Sequence, residues 1–118
     1  MRSIYTPDRW VIIQCYNPEL RAEDQRFDCV VGGWTGGYLD SDYWRRSTPI
    51  MRRKDDGDYI VFTGESGSSY RCHKQQHGVT GLMAAVLDQM STNFKAVGGS
   101  VTLLPQQDAL DYRPEEHR

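Results

Sequence analysis

The stretch Val79-Thr80-Gly81-Leu82-Met83-Ala84-Ala85-Val86-Leu87-Asp88-Gln89-Met90-Ser91-Thr92-Asn93-Phe94-Lys95-Ala96-Val97 decides the fold class. Its apolar members (Val79, Leu82, Met83, Val86, Leu87, Met90, Phe94 and Val97) recur one, three or four residues apart, which aligns them in one stripe along a helix. Asp88, Gln89, Asn93 and Lys95 fall on the wet side. The Thr80 hydroxyl is suited to accept from the first unpaired helical N–H groups, and Gly98-Gly99 is a natural stop. A helix with a single apolar stripe must lie on another layer. The rest of the chain offers strands for that layer.

Arg9–Tyr16 is rich in β-branched and aromatic residues and reads as the first strand. Val11, Ile13 and Cys15 alternate against Trp10, Ile12 and Tyr16, so both faces are apolar. Such a strand is either covered on both sides or uses one face as a contact surface, for example in a homodimer. Phe27–Trp34 is a second strand with Phe27, Cys29 and Val31 turned to the core. Gly32-Gly33 and Gly36-Gly37 predict a bulge, a bend or a close backbone approach. Ile50–Lys54 and Tyr59–Thr63 flank the hairpin signal Asp55-Asp56-Gly57-Asp58. Ser68–His73 follows a further turn, and Val101–Leu104 is a last strand stopped by Pro105. The expectation is an α+β fold: a mainly antiparallel sheet of five to six strands, arranged as a meander, packed against one C-terminal amphipathic helix. Residues 1–105 form the single domain, and 106–118 a polar, flexible tail.

With 118 residues, 38 % hydrophobic and 25 % charged, the chain has the size and composition of one globular domain. A net charge of −2 disfavours wholesale binding to nucleic acid or acidic membrane. The three cysteines, Cys15, Cys29 and Cys72, lack a disulfide-type spacing and read as small buried hydrophobes in a reducing compartment. Met1–Tyr5 reaches a proline and charges before an apolar run can form, so no signal peptide is expected. No apolar run approaches the ~20 residues of a spanning helix. The expected location is cytoplasmic.

The segment from Trp34 to Lys54 is the most unusual. Trp34, Tyr38, Tyr43 and Trp44 sit among Arg45, Arg46, Arg52, Arg53 and Lys54, with Asp40 and Asp42 interleaved. Trp, Tyr and Arg dominate binding hot spots, and aromatics beside arginines stack on nucleobases. The plain alternative is that the tryptophans cover the sheet and the arginines solvate a hairpin. Cys72, His73 and His77 invite a metal or nucleophile reading, but neighbours on a strand point to opposite faces, and zinc needs three or four convergent ligands. Gly64-Glu65-Ser66-Gly67-Ser68 joins strand to strand and lacks the spacing of a nucleophile elbow. Asp55, Asp56 and Asp58 lack the later glutamate of a calcium loop. Neither a metal nor another cofactor is expected.

Ile4-Tyr5-Thr6-Pro7-Asp8-Arg9-Trp10-Val11-Ile12, Gly33-Trp34-Thr35-Gly36-Gly37-Tyr38 with Trp44-Arg45, and Gly67-Ser68-Ser69-Tyr70-Arg71-Cys72-His73-Lys74 resemble segments of small tailed-bacteriophage proteins of unknown function. The resemblance spans roughly residues 4 to 82. It implies a viral accessory protein at work in bacterial cytoplasm, of a kind that often binds and blocks a host factor. The expected function is therefore non-enzymatic binding of a host protein or small signalling nucleotide through Trp34, Tyr38, Tyr43, Trp44, Arg45, Arg46, Arg52 and Arg53. The alternatives are nucleic-acid binding through residues 34–54, a small enzyme using Cys72 and a histidine, and a virion assembly role.

Overall fold

The computed structural model describes residues 2–37 and 41–114. Its elements run β1 (Ile4–Tyr5), β2 (Arg9–Tyr16), a 3-10 turn (Ala22–Asp24), β3 (Arg26–Trp34), β4 (Tyr43–Arg46), β5 (Ile50–Asp56), β6 (Tyr59–Gly64), β7 (Ser69–His73), α1 (Gly81–Ala96), β8 (Ser100–Leu103) and α2 (Gln106–Leu110). The α+β class stands, but the single meander does not. Among the described residues, eight strands form two four-stranded sheets, ordered β1-β7-β6-β5 and β4-β3-β2-β8. Pairing is antiparallel except for β1 against β7. β2–β3–β4 and β5–β6–β7 are each a three-stranded meander, but they lie in different sheets, because the chain changes sheet at Thr6–Asp8, at Ser47–Pro49 and again through α1.

The reason lies in β2, whose Trp10, Val11, Ile12 and Ile13 are all buried. One sheet and one helix would cover only one of its faces. Here Val11, Ile13 and Cys15, with Cys29 and Val31 of β3, pack under Met83 and Leu87 of α1. Trp10 and Ile12, with Val30, pack on Ile60, Phe62, Tyr70 and Cys72 of the other sheet. The molecule is three layers deep, with β2 in the middle. Both faces of β2 are thus satisfied within the chain, and its two-sided apolarity is no argument for a dimer.

Helix α1 begins and ends where local chemistry directs. The Thr80 hydroxyl accepts from Met83 N–H at 3.1 Å, while the Met83 sulfur accepts from Thr80 N–H at 3.4 Å. At the far end Gly98 adopts φ 82°, with Gly98 N–H bonded to the Lys95 carbonyl and Gly99 N–H to the Phe94 carbonyl. This paired arrangement satisfies the last carbonyls only if a residue takes the left-handed conformation. The helix is not C-terminal. It is the crossover from β7 to β8, and only Met83 and Leu87 of its stripe are fully buried.

The polar tail is corrected as well for residues 106–114. Gln106–Leu110 forms α2, Ala109 and Tyr112 join the core between the sheets, and the Tyr112 hydroxyl donates to Asp28 Oδ2 at 2.6 Å. Two buried residues at 109 and 112 are one helical turn apart, too brief a signal to separate from a polar tail by periodicity. Cys15, Cys29 and Cys72 are free and buried, as small hydrophobes would be.

Close backbone packing yields a test of the layer between α1 and β2. A Cβ on Gly99 would overlap the Tyr16 carbonyl oxygen, which the ladder holds in place, whereas one on Gly81 would meet nothing. Gly99→Ala is expected to lower stability by about 1–3 kcal/mol in denaturant titrations. Gly81→Ala, at the first turn of α1, should raise it by about 0.4–1 kcal/mol.

Candidate functional site

Strand β4 closes one end of its sheet, and all four of its residues are exposed. Its register against β3 sorts their side chains. Tyr43 pairs with Trp34 and Arg45 with Gly32, on the face toward the other sheet; Trp44 pairs with Gly33 and Arg46 with Val31, on the α1 face. The first group builds an aromatic array. The rings of Trp34 and Tyr43 stack in parallel at 4.7 Å, and Tyr5 meets Trp34 edge-on at 6.3 Å. The Arg45 guanidinium lies 4.4 Å above Tyr5. Tyr5 also contacts Tyr70 at 5.2 Å. Burial pushes the Tyr70 hydroxyl up to about 12 despite the opposing charge of Arg45, so it stays protonated.

Trp34 is pinned within this array. Its indole N–H donates to the Thr6 carbonyl at 2.9 Å, and Thr35 N–H donates to Asp8 Oδ2. The array therefore clasps the β1–β2 connection to β3 and leaves Tyr43 (52 % exposed) and Trp44 (38 % exposed) on the surface. The paired glycines serve close approach, as one of the sequence readings held. A Cβ on Gly33 would overlap the Met83 side chain, and one on Gly32 would crowd Pro7. Without a side chain at 33, α1 can sit directly on β3 beside Trp44.

The expected site is thus divided among three surfaces. Trp34, Tyr43 and Arg45 form one cluster; Trp44 and Arg46 lie on the opposite face of the same edge strand. Arg52 pairs with Thr63 on the outer face of the other sheet. Arg53 turns inward: its side chain is 7 % exposed, donates to the Leu110 carbonyl at 2.8 Å and pairs with Asp55 at 2.6 Å. It ties β5 to α2 and does not belong to a contact surface. Alternation along β5 is the reason, since neighbouring arginines on a strand face opposite ways. Tyr38 lies outside the described residues. Tyr5 and Tyr70 were missed because they reach the site only by pairing of β1 with β7, which no local pattern announces.

A cleft of about 820 Å³ opens beside the half of β3 that β4 does not cover. Leu20, Phe27, Ile50 and Met51 give it apolar lining, and Asp28, Tyr112 and Arg46 are among the polar groups that line it. It is of ligand size, and two of its polar lining groups are already joined by the Tyr112–Asp28 hydrogen bond.

Cys72 and His73 do face opposite ways. Cys72 is in the core, where burial raises its thiol pKa and favours the unreactive protonated form. His73 lies outside, edge-on to Tyr59 at 4.9 Å, its Nδ1 accepting from Gln75 N–H. Among the described residues no group of three or more His, Cys, Asp or Glu gathers as metal ligands would. Nor is any described helix long and apolar enough to cross a membrane. Comparison with known protein families, curated proteins and solved structures gave no match.

Two side chains here carry stability rather than recognition. Arg53→Ala removes the tie to Leu110 and is expected to lose about 1.5–3 kcal/mol in denaturant unfolding. His77 lies edge-on to Trp10 at 5.1 Å, and its Nε2 has no hydrogen-bond partner among the described residues. Burial holds its pKa below the usual histidine value, so the unfolded chain takes up the proton more readily. The associated stability is complete above about pH 6.5 and is lost as pH falls below it. His77→Phe should flatten the dependence of unfolding free energy on pH between about 7 and 5.

Proposed function

We propose that this protein is a non-enzymatic binding protein that holds a protein partner along the β4 edge. The observation that carries the reading is the strand itself. Among the described residues no strand pairs with the outer side of β4, and it displays Tyr43 and Arg45 on one face and Trp44 and Arg46 on the other. Such an edge offers main-chain hydrogen bonds to an extended segment, while large rigid side chains on alternate faces discriminate among segments. A protein partner suits this arrangement better than a nucleic acid. A stacking platform would need the arginines of residues 34–54 to converge, and Arg52 and Arg53 are directed elsewhere.

The resemblance over residues 4 to 82 supports placing the protein among phage-encoded accessory factors and its partner in the bacterial host. Binding then acts by occupying or sequestering that host protein.

The test is affinity capture from bacterial lysate with three proteins: wild type, Trp44→Ala/Arg46→Ala, and Arg52→Ala on the other sheet. Wild type and Arg52→Ala are expected to recover the same partner. The double variant should bind that purified partner at least thirtyfold more weakly, about 2 kcal/mol in hot-spot terms. Equal recovery by all three proteins, or a partner lost only with Arg52→Ala, removes the β4 edge from the reading.

A further inference from the structure

Two of the four sheet ends, β5 and β1, carry features that discourage strand association. β5 bears Arg52, Arg53, Lys54, Asp55 and Asp56 and a register irregularity between Ile50 and Arg52. β1 is only two residues long, and β4 is the edge to which the proposed function assigns a partner. β8, Ser100-Val101-Thr102-Leu103, has no charge, no proline and an unbroken register against β2. Beside it, Leu103 (42 % exposed) and Val79 (43 % exposed) line a groove of about 250 Å³ with Leu87 and Val101, between β8 and α1.

Two independent conditions restrict what fits this edge. The first is hydrogen-bond phase. Leu104 N–H donates to the Ile12 carbonyl, so by antiparallel alternation the backbone groups of Val101 and Leu103 point away from β2, to the free side. The second is the pleat. Val101 and Leu103 pair with Cys15 and Ile13 on the α1 face, while Ser100 and Thr102 lie on the other.

A second β8 brought up by a two-fold axis perpendicular to the sheet keeps its faces. Paired residues must share a face, so the axis must pass through a residue and not between two. Centred on Val101, the pair would need the N–H of Gly99, which is already bonded to the Phe94 carbonyl. Centred on Leu103, it would set Val101 against Pro105, which has no N–H. Centred on Thr102, Val101 of each copy meets Leu103 of the other. Each of these pairs then exchanges both its hydrogen bonds through outward-directed groups.

We infer that two copies of this chain associate through β8 about a two-fold axis at Thr102, fusing their β4-β3-β2-β8 sheets into one continuous sheet. Both conditions are met by β8 against itself, which makes a second copy the occupant. Leu103 of each copy is covered by Val101 of its mate, and the two β4 edges lie at opposite ends of the joined sheet.

Sedimentation analysis of the full chain, with two variants, tests this. Wild type is expected to be a dimer that dissociates on dilution. Leu103→Lys, which charges an exposed position, should be monomeric with an unchanged circular dichroism spectrum. Thr102→Cys places two thiols on the axis at a non-hydrogen-bonded pair, where Cα atoms stand about 4.5 Å apart, within disulfide range. It should form a covalent dimer on mild oxidation, while Ser100→Cys, set against Leu104 of the other copy, should not. The native cysteines are buried and do not compete. A wild type that is monomeric at every concentration, as a foreign peptide-binding edge would be, overturns the inference. A dimer that survives Leu103→Lys, or that fails to cross-link through Thr102→Cys, overturns it too.

Discussion

The two-faced burial of β2 is the constraint on which the rest of the structure depends. Trp10 and Ile12 point one way and Val11, Ile13 and Cys15 the other, and water reaches almost none of them. Exposing either face would forfeit about 1.5–3 kcal/mol for each large apolar side chain left uncovered. One layer cannot satisfy both faces, so the chain supplies two: α1 on one side and the β1-β7-β6-β5 sheet on the other. The sheet changes at Thr6–Asp8 and Ser47–Pro49 follow from that demand. So does the inward turn of α2, whose Ala109, with Tyr112 just beyond, fills the space left between the two sheets.

A molecule built around a doubly covered strand leaves its open backbone and exposed rings at its edges. The interior is packed by Trp10, Phe62, Tyr70 and Tyr112, whose rings contact one another or their neighbours across the sheets. Unpaired backbone and exposed aromatic side chains remain at the sheet ends, and each end is managed differently. At β4 the rings of Tyr43 and Trp44 stand out beside guanidinium groups. At β8 an uncharged strand lies open beside an apolar groove. These are two kinds of edge, the first proposed above to hold another protein and the second to pair with its own copy. Joining through β8 would leave both β4 edges free, so the two proposed contacts do not compete for surface.

The alternation of side chains on strands explains why the candidate site was only partly legible in sequence. A count along residues 34–54 brings Trp34, Tyr43, Trp44, Arg45, Arg46, Arg52 and Arg53 into one cluster. In space, Trp44 and Arg45 are on opposite faces of β4, and Arg52 and Arg53 on opposite faces of β5. The one among them that is most buried, Arg53, holds the fold together through the Leu110 carbonyl. Conversely, Tyr5 completes the aromatic array from almost thirty residues away. It gets there because β1 pairs in parallel with β7, a contact between segments over sixty residues apart that has no local signature.

What the sequence by itself determined was local: the helix Gly81–Ala96 with its Thr80 and Gly98 caps, the apolar alternation of β2 and β3, the Gly57 hairpin, and three cysteines placed as buried hydrophobes. Each of these follows from side-chain periodicity or from a backbone angle that few residues tolerate, and both are written in consecutive residues. Only the tertiary structure decided that the strands divide into two sheets, that residues 106–114 enter the core, and which arginines reach the surface. Those outcomes depend on how much apolar area each face of β2 must hide and on which distant segment is free to hide it. That is a property of the packed chain as a whole, and no single stretch of sequence contains it.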